Sequence, residues 1–481
     1  MVQWGIIGAG NVAARFAASL EHEPESRLTA ISCRNREKGE RFLSNFLADR
    51  IYANHEELLH DRRIDAVYLS LPHGLHKEWA VKALQAGKAV LCEKPAALNA
   101  GEMREIAETA RERDVLFMEA MKPRFVPLYQ KIKALVSEGR IGSVVRVTTS
   151  LCNQFSFSPN HPTYHTQPGQ GGALLDEGIY CASWLQDFLS GNASVTQIAA
   201  NMKDGIDYYI DAQLDFLPGQ TGRLECAFDR LAPRTAVIYG THGWLEIEDF
   251  HRPQVLRLNA DEEKTRIIRM PYETDDFYGE IHHFVECINN GRKESAIMPL
   301  SSSIACAEIL DAVRESIKLT PRCLETLERQ EAILQFDSFG SAEALALGNE
   351  VAELASHYES GVSAAIIRER DGLTMFQFAM DDKTPRNDTF MQGKRKAALA
   401  VGHSSLWAYV NHELTGNHEE LFQRMPEIIP CAGAFPIRVH GEWVATLTIS
   451  GLHEGKDHKL AVLALSRTLK RKAPVFPGVA V

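Results

Sequence analysis

WGIIGAGNVA, Trp4 to Ala13, passes from an apolar run through two glycines into the helix-patterned segment VAARFAASL. Apolar run, Gly-x-Gly and amphipathic segment in that order read as strand, tight turn and helix. Within Gly8-Ala9-Gly10-Asn11-Val12-Ala13, Gly8 permits the turn and Gly10 lets the backbone approach a pyrophosphate. Ala13 lets helix and strand come close, and the helix start at Asn11 and Val12 attracts the anion. An ordinary glycine-rich turn is the alternative. The surrounding alternation of strand and helix favours a dinucleotide site.

The same alternation continues outward. LTAIS, AVYLSLP, AVLCE and VLFMEA are short apolar runs, separated by EKGERFLSNF, HKEWAVKALQAG and AGEMREIAETARERD. Strands joined by amphipathic helices imply right-handed crossovers and a parallel sheet covered on both faces. The second strand ends in Ser32-Cys33-Arg34-Asn35, with no acid before Glu37 to hold ribose hydroxyls. Ser32 and Arg34 stand at the ribose position, and a guanidinium there suits a 2′-phosphate. NADP is therefore favoured, with NAD possible; a solvated loop arginine is the other reading.

The whole chain sets limits. Its 481 residues suggest about three domains, and 45% hydrophobic with 24% charged residues is a globular composition. A net charge of −11 argues against nucleic acid as a partner, and no apolar run suits a membrane span. The start reads as strand and turn, not as an export signal. Nine cysteines without a CxxC fit a reducing cytoplasm and give no disulfide framework or zinc site. His282, His283 and Glu286 lack a metal-ligand spacing, so no metal is expected.

Lys94 draws attention because the apolar run VLCE ends on it, between Glu93 and Pro95. It falls at the carboxyl end of the fifth strand, where open α/β sheets bind ligands. Pro95 biases its backbone towards an extended form and permits a cis peptide. Oxidation of a secondary alcohol leaves a hydroxyl proton, and a lysine with a pKa lowered by burial and a nearby cation would accept it. Glu93 is placed to orient that amine. A second stretch, Gly171-Gly172-Ala173-Leu174-Leu175-Asp176-Glu177-Gly178-Ile179-Tyr180, opens a helix expected to run to about Ser190. Asp176 and Tyr180, at i and i+4, share one face and suit a substrate hydroxyl.

GAGNVA, YLSLPHGLHKEWAVKALQAGKAVLCEKP, MEAMKPRFVP and GGALLDEGIY together resemble the glucose-fructose oxidoreductase, inositol dehydrogenase and MocA-type family over residues 1–320. The resemblance implies a Rossmann domain over 1–120, then a substrate-binding and oligomerisation α/β domain over 121–320 with an open, mostly antiparallel sheet. It implies catalysis by Lys94 with Asp176 and Tyr180. Gly8, Gly10, Asn11, Val12, Ser32, Arg34, Leu71, His76, Glu93, Lys94 and Arg124 are the implied cofactor residues. Many relatives carry His where this chain has Tyr180; the tyrosine resembles the dihydrodiol dehydrogenase and glucose-fructose oxidoreductase branches, which favour NADP, rather than a strict inositol dehydrogenase.

Residues 206–216 support the second sheet independently: Ile206, Tyr208, Ile210, Ala212, Leu214 and Phe216 alternate with polar residues and Tyr209. The segment 155–170, FSFSPNHPTYHTQPGQ, is a long aromatic loop of the kind that closes over sites. Its His161 and His165 read as substrate contacts or, more simply, as loop histidines.

Beyond TPRCLETLERQ (320–330), read as a connection, lie strand LQFDSF, helix SAEALALGNEVAELASHY and a hairpin turning at Asp371-Gly372. A basic helix over MQGKRKAALAVGHSSLWAYVNHEL, a hairpin turning at His440-Gly441 and helix KDHKLAVLALSRTL complete the chain. This α+β order over 326–475 resembles the domains classed with haem-degrading and haem-binding proteins of the glycolate-cluster type. His403 and His412, near Lys394-Arg395-Lys396, are the haem candidates, although no CxxCH is present. A solvated basic face, a subunit contact, a sensor or an assembly module are the other readings.

The expected protein is a cytoplasmic fusion: an NADP-preferring oxidoreductase of a sugar, polyol or cyclic dihydrodiol, forming a homo-oligomer, with an added C-terminal module. The competing class is a catalytically silent sensor. Lys94, Asp176 and Tyr180 argue against it, since a sensor has no use for proton-transfer groups.

Overall fold

The computed structural model describes residues 1–157, 163–203, 205–217, 219–260, 264–358, 360–416, 427–452 and 455–476. They form sheets of six, eight and four strands. Two compact units result: Met1–Thr196 with Met202–Val313, and Gln197–Asn201 with Arg314–Val481.

The six-stranded sheet contains β1 (Val2–Ile7), β2 (Ser26–Ser32), β3 (Arg50–Tyr52), β4 (Ala66–Leu69), β5 (Ala89–Glu93) and β6 (Phe117–Ala120). Its order is β3-β2-β1-β4-β5-β6, with every neighbouring pair parallel. This is the doubly wound arrangement the alternation implied, and the order reverses between β1 and β4, where a ligand crevice forms. Strands covered on both faces are apolar throughout: Ala66, Val67, Tyr68 and Leu69 are all fully buried. Strand β3 and the helix His55–His60 went unread because neither is long enough to show a period.

The eight-stranded sheet contains β7 (Val144–Cys152), β8 (Ser194–Lys203), β9 (Ile206–Asp215), β10 (Thr221–Ala227), β11 (Thr235–Gly240), β12 (Gly243–Glu248), β13 (Val255–Ala260) and β14 (Arg266–Arg269). The order is β14-β13-β12-β11-β7-β10-β9-β8, and β7 runs parallel to β10 within an otherwise mostly antiparallel sheet. Ile238, Leu245, Ile247 and Leu256 bury one face completely. In β9 the alternation shifts at the tyrosines: Tyr209 is buried and Tyr208 half-buried, because Arg230 covers the Tyr209 ring at 3.6 Å. The helix expected from Gly171 to Ser190 is two pieces, Ala173–Asp176 and Gly178–Phe188, joined at Glu177, whose φ of −101° and ψ of −39° stay in the helical region.

Two later helices return to the first sheet. Tyr278–Asn289 sets Phe284 against Trp4 at 5.3 Å, and Leu300–Ile317 brings Leu300 and Ala307 into the core of Val67, Leu69 and Val90. Ala100 N–H donates to the Asp311 carboxylate at 2.9 Å, tying the two layers.

The C-terminal unit is built on β15 (Ser363–Arg368), β16 (Thr374–Ala379), β17 (Ala434–Val439) and β18 (Glu442–Ser450), ordered β16-β15-β18-β17 and antiparallel. Both hairpin turns fall where the sequence placed them, with positive φ at Gly372, His440 and Gly441. Helices Ser341–Ala355 and Lys456–Leu469 cover the core of Leu347, Val351, Ile366, Leu447 and Leu460. Three expectations change. LQFDSF contributes a single bridge, Phe336 to Val439. The basic helix is two, Pro385–Val401 and Ser405–Thr415, because Gly402 turns left-handed and Ser404 caps the second. The stretch read as a connection is the helix Pro321–Ile333, whose Cys323 and Leu327 are buried with Leu406 and Val410. Among the described residues no helix is long and apolar enough to cross a membrane.

Candidate active site

The cofactor end starts at Gly8, whose φ of 107° needs glycine and where a side chain would strike the Ser70 carbonyl. Gly10 opens the helix Asn11–Leu20 with no side-chain cap and no acid in the first turn. The helices Arg36–Leu43, His55–His60 and Ala100–Arg113 are each capped by an asparagine, Asn35, Asn54 and Asn99. Gly10, Asn11 and Val12 are exposed. An uncapped, exposed helix start at the switch point suits a dinucleotide pyrophosphate. Leu71, half-buried, lies beside Gly8. Arg34 is exposed, with no hydrogen-bond or ion-pair partner among the described residues.

Three implied cofactor residues have polar atoms committed to the protein. Ser32 shares its hydroxyl with His55 Nδ1 at 2.6 Å. His76 is fully buried, with Nδ1 2.7 Å from the Pro95 carbonyl and Nε2 2.8 Å from that of Leu71. Arg124 is 1% exposed and spends its donors on Ser183, Gln186 and Ile297. His76 thus joins the loops after β4 and β5, and Arg124 anchors the helix Gly178–Phe188. Direct contact of these two side chains with a cofactor does not fit such saturated, buried groups.

Lys94 directly follows the last residue of β5, Glu93, and is joined to Pro95 by a cis bond. Its Nζ donates to Asp176 Oδ1 and to the Asp176 carbonyl, both at 2.7 Å, and stands 4.7 Å from the centre of the Tyr180 ring. Asp176 ends the first helical piece and Tyr180 lies in the first turn of the second, and both reach Lys94. Glu93 does not orient the amine. Its carboxyl bonds the Lys94 main-chain N–H at 3.2 Å and accepts from the Tyr68 hydroxyl.

The expected lowering of the Lys94 pKa is corrected. Burial alone would lower it, but Asp176, Tyr180 and Glu177 outweigh burial and raise it well above the ordinary lysine value. Burial opposes ionisation of Asp176, yet Lys94, His73 and His165 bring its carboxyl down to about 2. The Tyr180 phenol is pushed up, mainly by burial. The resting arrangement is an ammonium, a carboxylate and a neutral phenol, which suits proton donation to a carbonyl.

Further residues join this centre from elements the sequence did not connect. His165 places Nε2 3.5 Å from Asp176 Oδ2, so it is no ordinary loop histidine. His161 lies outside the described residues. His73 brings Nε2 to 3.9 Å from Asp176 Oδ1. Tyr164 stacks on His165 at 3.9 Å, and His251 faces the Tyr180 ring at 6.0 Å. Glu177, bonded by Asn153 at 2.9 Å, has its carboxyl pushed up to about 7 by burial and by Asp176. Among the described residues no three His, Cys, Asp or Glu side chains group as metal ligands.

In the C-terminal unit the basic cluster divides: Lys394 is buried and Arg395 half-buried, while Lys396 is on the solvated face. Lys394 pairs with Asp457 at 2.6 Å, Arg395 with Glu369 at 2.5 Å and Lys396 with Glu427. His403 bonds Glu331 at 2.9 Å and stacks on Trp407.

Residues 2–121 match the oxidoreductase family with the NAD-binding Rossmann fold, and 129–246 match the Gfo/Idh/MocA C-terminal domain. Residues 339–466 match the haem degrading protein HbpS-like family. The chain is 32% identical over 329 residues to a trans-1,2-dihydrobenzene-1,2-diol dehydrogenase of Mus musculus, covering 66% of this chain and 98% of the relative. The Homo sapiens enzyme of that name is 30% identical over 331 residues, with the same coverage. A 3-ketoreductase from Actinomadura kijaniata, solved with TDP-benzene and NADP, is 27% identical with a TM-score of 0.58, covering 65% of this chain and 96% of that one. Its solved forms include a lysine-to-alanine and a tyrosine-to-phenylalanine variant. Levoglucosan dehydrogenase, solved with NADH and L-sorbose, shares the fold at 20% identity and a TM-score of 0.60, covering 66% of this chain and 96% of that one. The chain belongs to the Gfo/Idh/MocA family of NAD(P)-dependent oxidoreductases acting on CH–OH groups, and carries an HbpS-like domain at its C-terminal end.

Proposed function

We propose that the protein interconverts a secondary alcohol and its ketone on a cyclic diol, polyol or sugar, with NADP preferred over NAD. The observation that carries this reading is the convergence of Lys94, Asp176 and Tyr180 at the carboxyl end of β5. The dihydrodiol dehydrogenases and the NADP-bound ketoreductase support the substrate class and the cofactor. Bound nicotinamide supplies or accepts the hydride. Gly8, Gly10, Asn11 and Val12 hold the pyrophosphate, and Arg34 takes the 2′-phosphate. Lys94 moves the hydroxyl proton, Asp176 holds Lys94 towards the substrate, and Tyr180 bonds the substrate oxygen.

The half-buried face of the eight-stranded sheet, with Tyr239, Trp244 and Arg257, is the surface on which copies of the chain pair. Steady-state turnover on a panel of diols, polyols and sugars with both cofactors tests the activity, and light scattering tests the assembly. No turnover on any member, with NADP(H) still bound, would return the reading to a silent sensor.

A further inference from the structure

Every alcohol oxidised here releases a proton at a place with little access to water. The side chains of Lys94 and Asp176 are each 13% exposed. Two imidazoles adjoin Asp176, His73 at Oδ1, which also takes Lys94 Nζ, and His165 at the other oxygen, Oδ2, and they differ in where a proton could go next. His73 is 4% exposed, and its Nδ1 stands 3.2 Å from the Gln170 main-chain oxygen. A carbonyl accepts a hydrogen bond but passes no proton onward, so this branch is closed. His165 is 25% exposed, with Nε2 facing Asp176 Oδ2 at 3.5 Å and Nδ1 3.2 Å from the Thr163 hydroxyl. A hydroxyl both accepts and donates, and Thr163 is exposed. Stacking on Tyr164 at 3.9 Å and the edge of Phe228 at 5.8 Å hold the imidazole in place.

We propose that Asp176, His165 and the Thr163 hydroxyl form the path by which protons pass between Lys94 and solvent. The path rests on the proton-transfer role given to Lys94 above. In oxidation the substrate C–H pair leaves as hydride to the nicotinamide, the O–H bond breaks and C=O forms. The hydroxyl proton enters Lys94 Nζ as Nζ hands one of its own to Asp176. Rotation of the carboxyl presents that proton to His165 Nε2, and Nδ1 releases one through Thr163 to water. Reduction runs the same path inward.

The groups facing His165 suit a carrier that does not keep its proton. Burial and Lys94 lower its pKa while Asp176 raises it, with a net lowering. His73 adds a further imidazole beside Asp176, and Tyr164 remains a neutral phenol.

The test uses the full chain with His165→Ala and the milder His165→Gln. Single-turnover oxidation should slow by about 10²-fold in His165→Ala, the low end for a proton-transfer group, with KM little changed. Added imidazole should restore the rate in proportion to its concentration. Without any cofactor, the His165 titration followed by NMR should move to lower pH in Asp176→Asn. An undiminished rate in both variants overturns the path. So does a slow variant that imidazole does not rescue, or a His165 titration indifferent to Asp176. If Lys94→Met keeps turnover, the assignment of Lys94 fails instead, which separates the two outcomes. Should His165→Ala not fold, His165→Gln and the titration still decide.

Discussion

Besides Lys122–Asp276 in the first compact unit, each unit contains a buried lysine–aspartate pair, and these two pairs are nearly equal in length. Lys94 meets Asp176 at 2.7 Å and Lys394 meets Asp457 at 2.6 Å. Their surroundings separate them. The Lys394 and Asp457 side chains are 5% and 4% exposed, and the pair is closed by main-chain groups. Lys394 Nζ also donates to the Ile449 carbonyl at 3.0 Å, and Leu452 N–H donates to Asp457 at 2.9 Å. Gly433 lies so close that a side chain there would approach Nζ. Around Lys94 and Asp176 the titratable neighbours are a phenol and two imidazoles, where the second pair has the Cys431 thiol and the Tyr358 phenol. An ion pair alone therefore says little about chemistry; the greater residual access of the first pair and the imidazoles beside its carboxylate are what set it apart from the second.

Replacing each lysine by methionine is the sharpest way to break this contrast. Lys94→Met should lower kcat by about 10²–10⁴, the range of a general acid/base, while NADP(H) binding measured by fluorescence titration persists. A variant keeping more than half the wild-type rate would make the first pair structural like the second.

Lys394→Met should leave the chemical step intact but strand a buried carboxylate. Removing one partner of a buried pair costs about 3–5 kcal/mol, to be read from denaturant unfolding of the full chain. Adding Asp457→Leu should recover part of the loss, because an apolar pair replaces the orphaned charge. A wild-type unfolding midpoint in Lys394→Met would show that water reaches the pair.

Glu177 sharpens the comparison through pH. Its folded pKa, about 7, lies above the ordinary carboxyl value of 4.5. Below pH 4.5 both folded and unfolded forms are protonated and nothing is lost. Between 4.5 and 7 the unfolded chain ionises first and binds fewer protons, so stability falls as pH rises and then levels off. The full penalty is about 3 kcal/mol at most. Glu177→Gln should remove that slope, seen as a difference in Tm between variant and wild type that grows from pH 4.5 to 7. A constant difference across the range would place the Glu177 carboxyl in contact with solvent.

Much of the first unit was legible because its signals are local. The turn at Gly8 and Gly10, the strand ending on Lys94 and the Asp176–Tyr180 spacing each sit within a few residues. What escaped needs distance. His73 follows β4 and His165 precedes the helix Gly178–Phe188, yet both meet Asp176, and no spacing announces that meeting. His76 and Arg124 show the opposite limit: sequence reveals a donor but not who takes its hydrogen bonds. The direction of the Lys94 pKa is hidden from the sequence for the same reason, since Asp176, Tyr180 and Glu177 gather around the amine only in the fold. In the C-terminal unit, Lys394-Arg395-Lys396 reads as one charge run, but each side chain finds its own acid.

The arginines extend the comparison of committed and available cations to its smallest expected effect. Arg395 is engaged by both oxygens of Glu369, at 3.0 and 2.5 Å, so its donors are spent inside the protein. Arg34 is exposed beyond the end of β2 and has no such partner among the described residues. Its neighbour Asn35 is occupied in capping the next helix, and no acid precedes Glu37 to hold a ribose hydroxyl. A free guanidinium there rewards a 2′-phosphate, which only NADP carries, through charged hydrogen bonds worth about 1–3 kcal/mol. Arg34→Ala should therefore narrow the NADP-over-NAD ratio of kcat/KM by about 5- to 150-fold, the same energy expressed as a rate ratio, chiefly by weakening NADP. Because the 2′-phosphate interaction is electrostatic and exposed, added salt should shrink the wild-type preference and leave that of the variant almost unchanged. An unaltered ratio in Arg34→Ala would mean that the exposed arginine is only solvated, and that the cofactor choice is made elsewhere in the crevice.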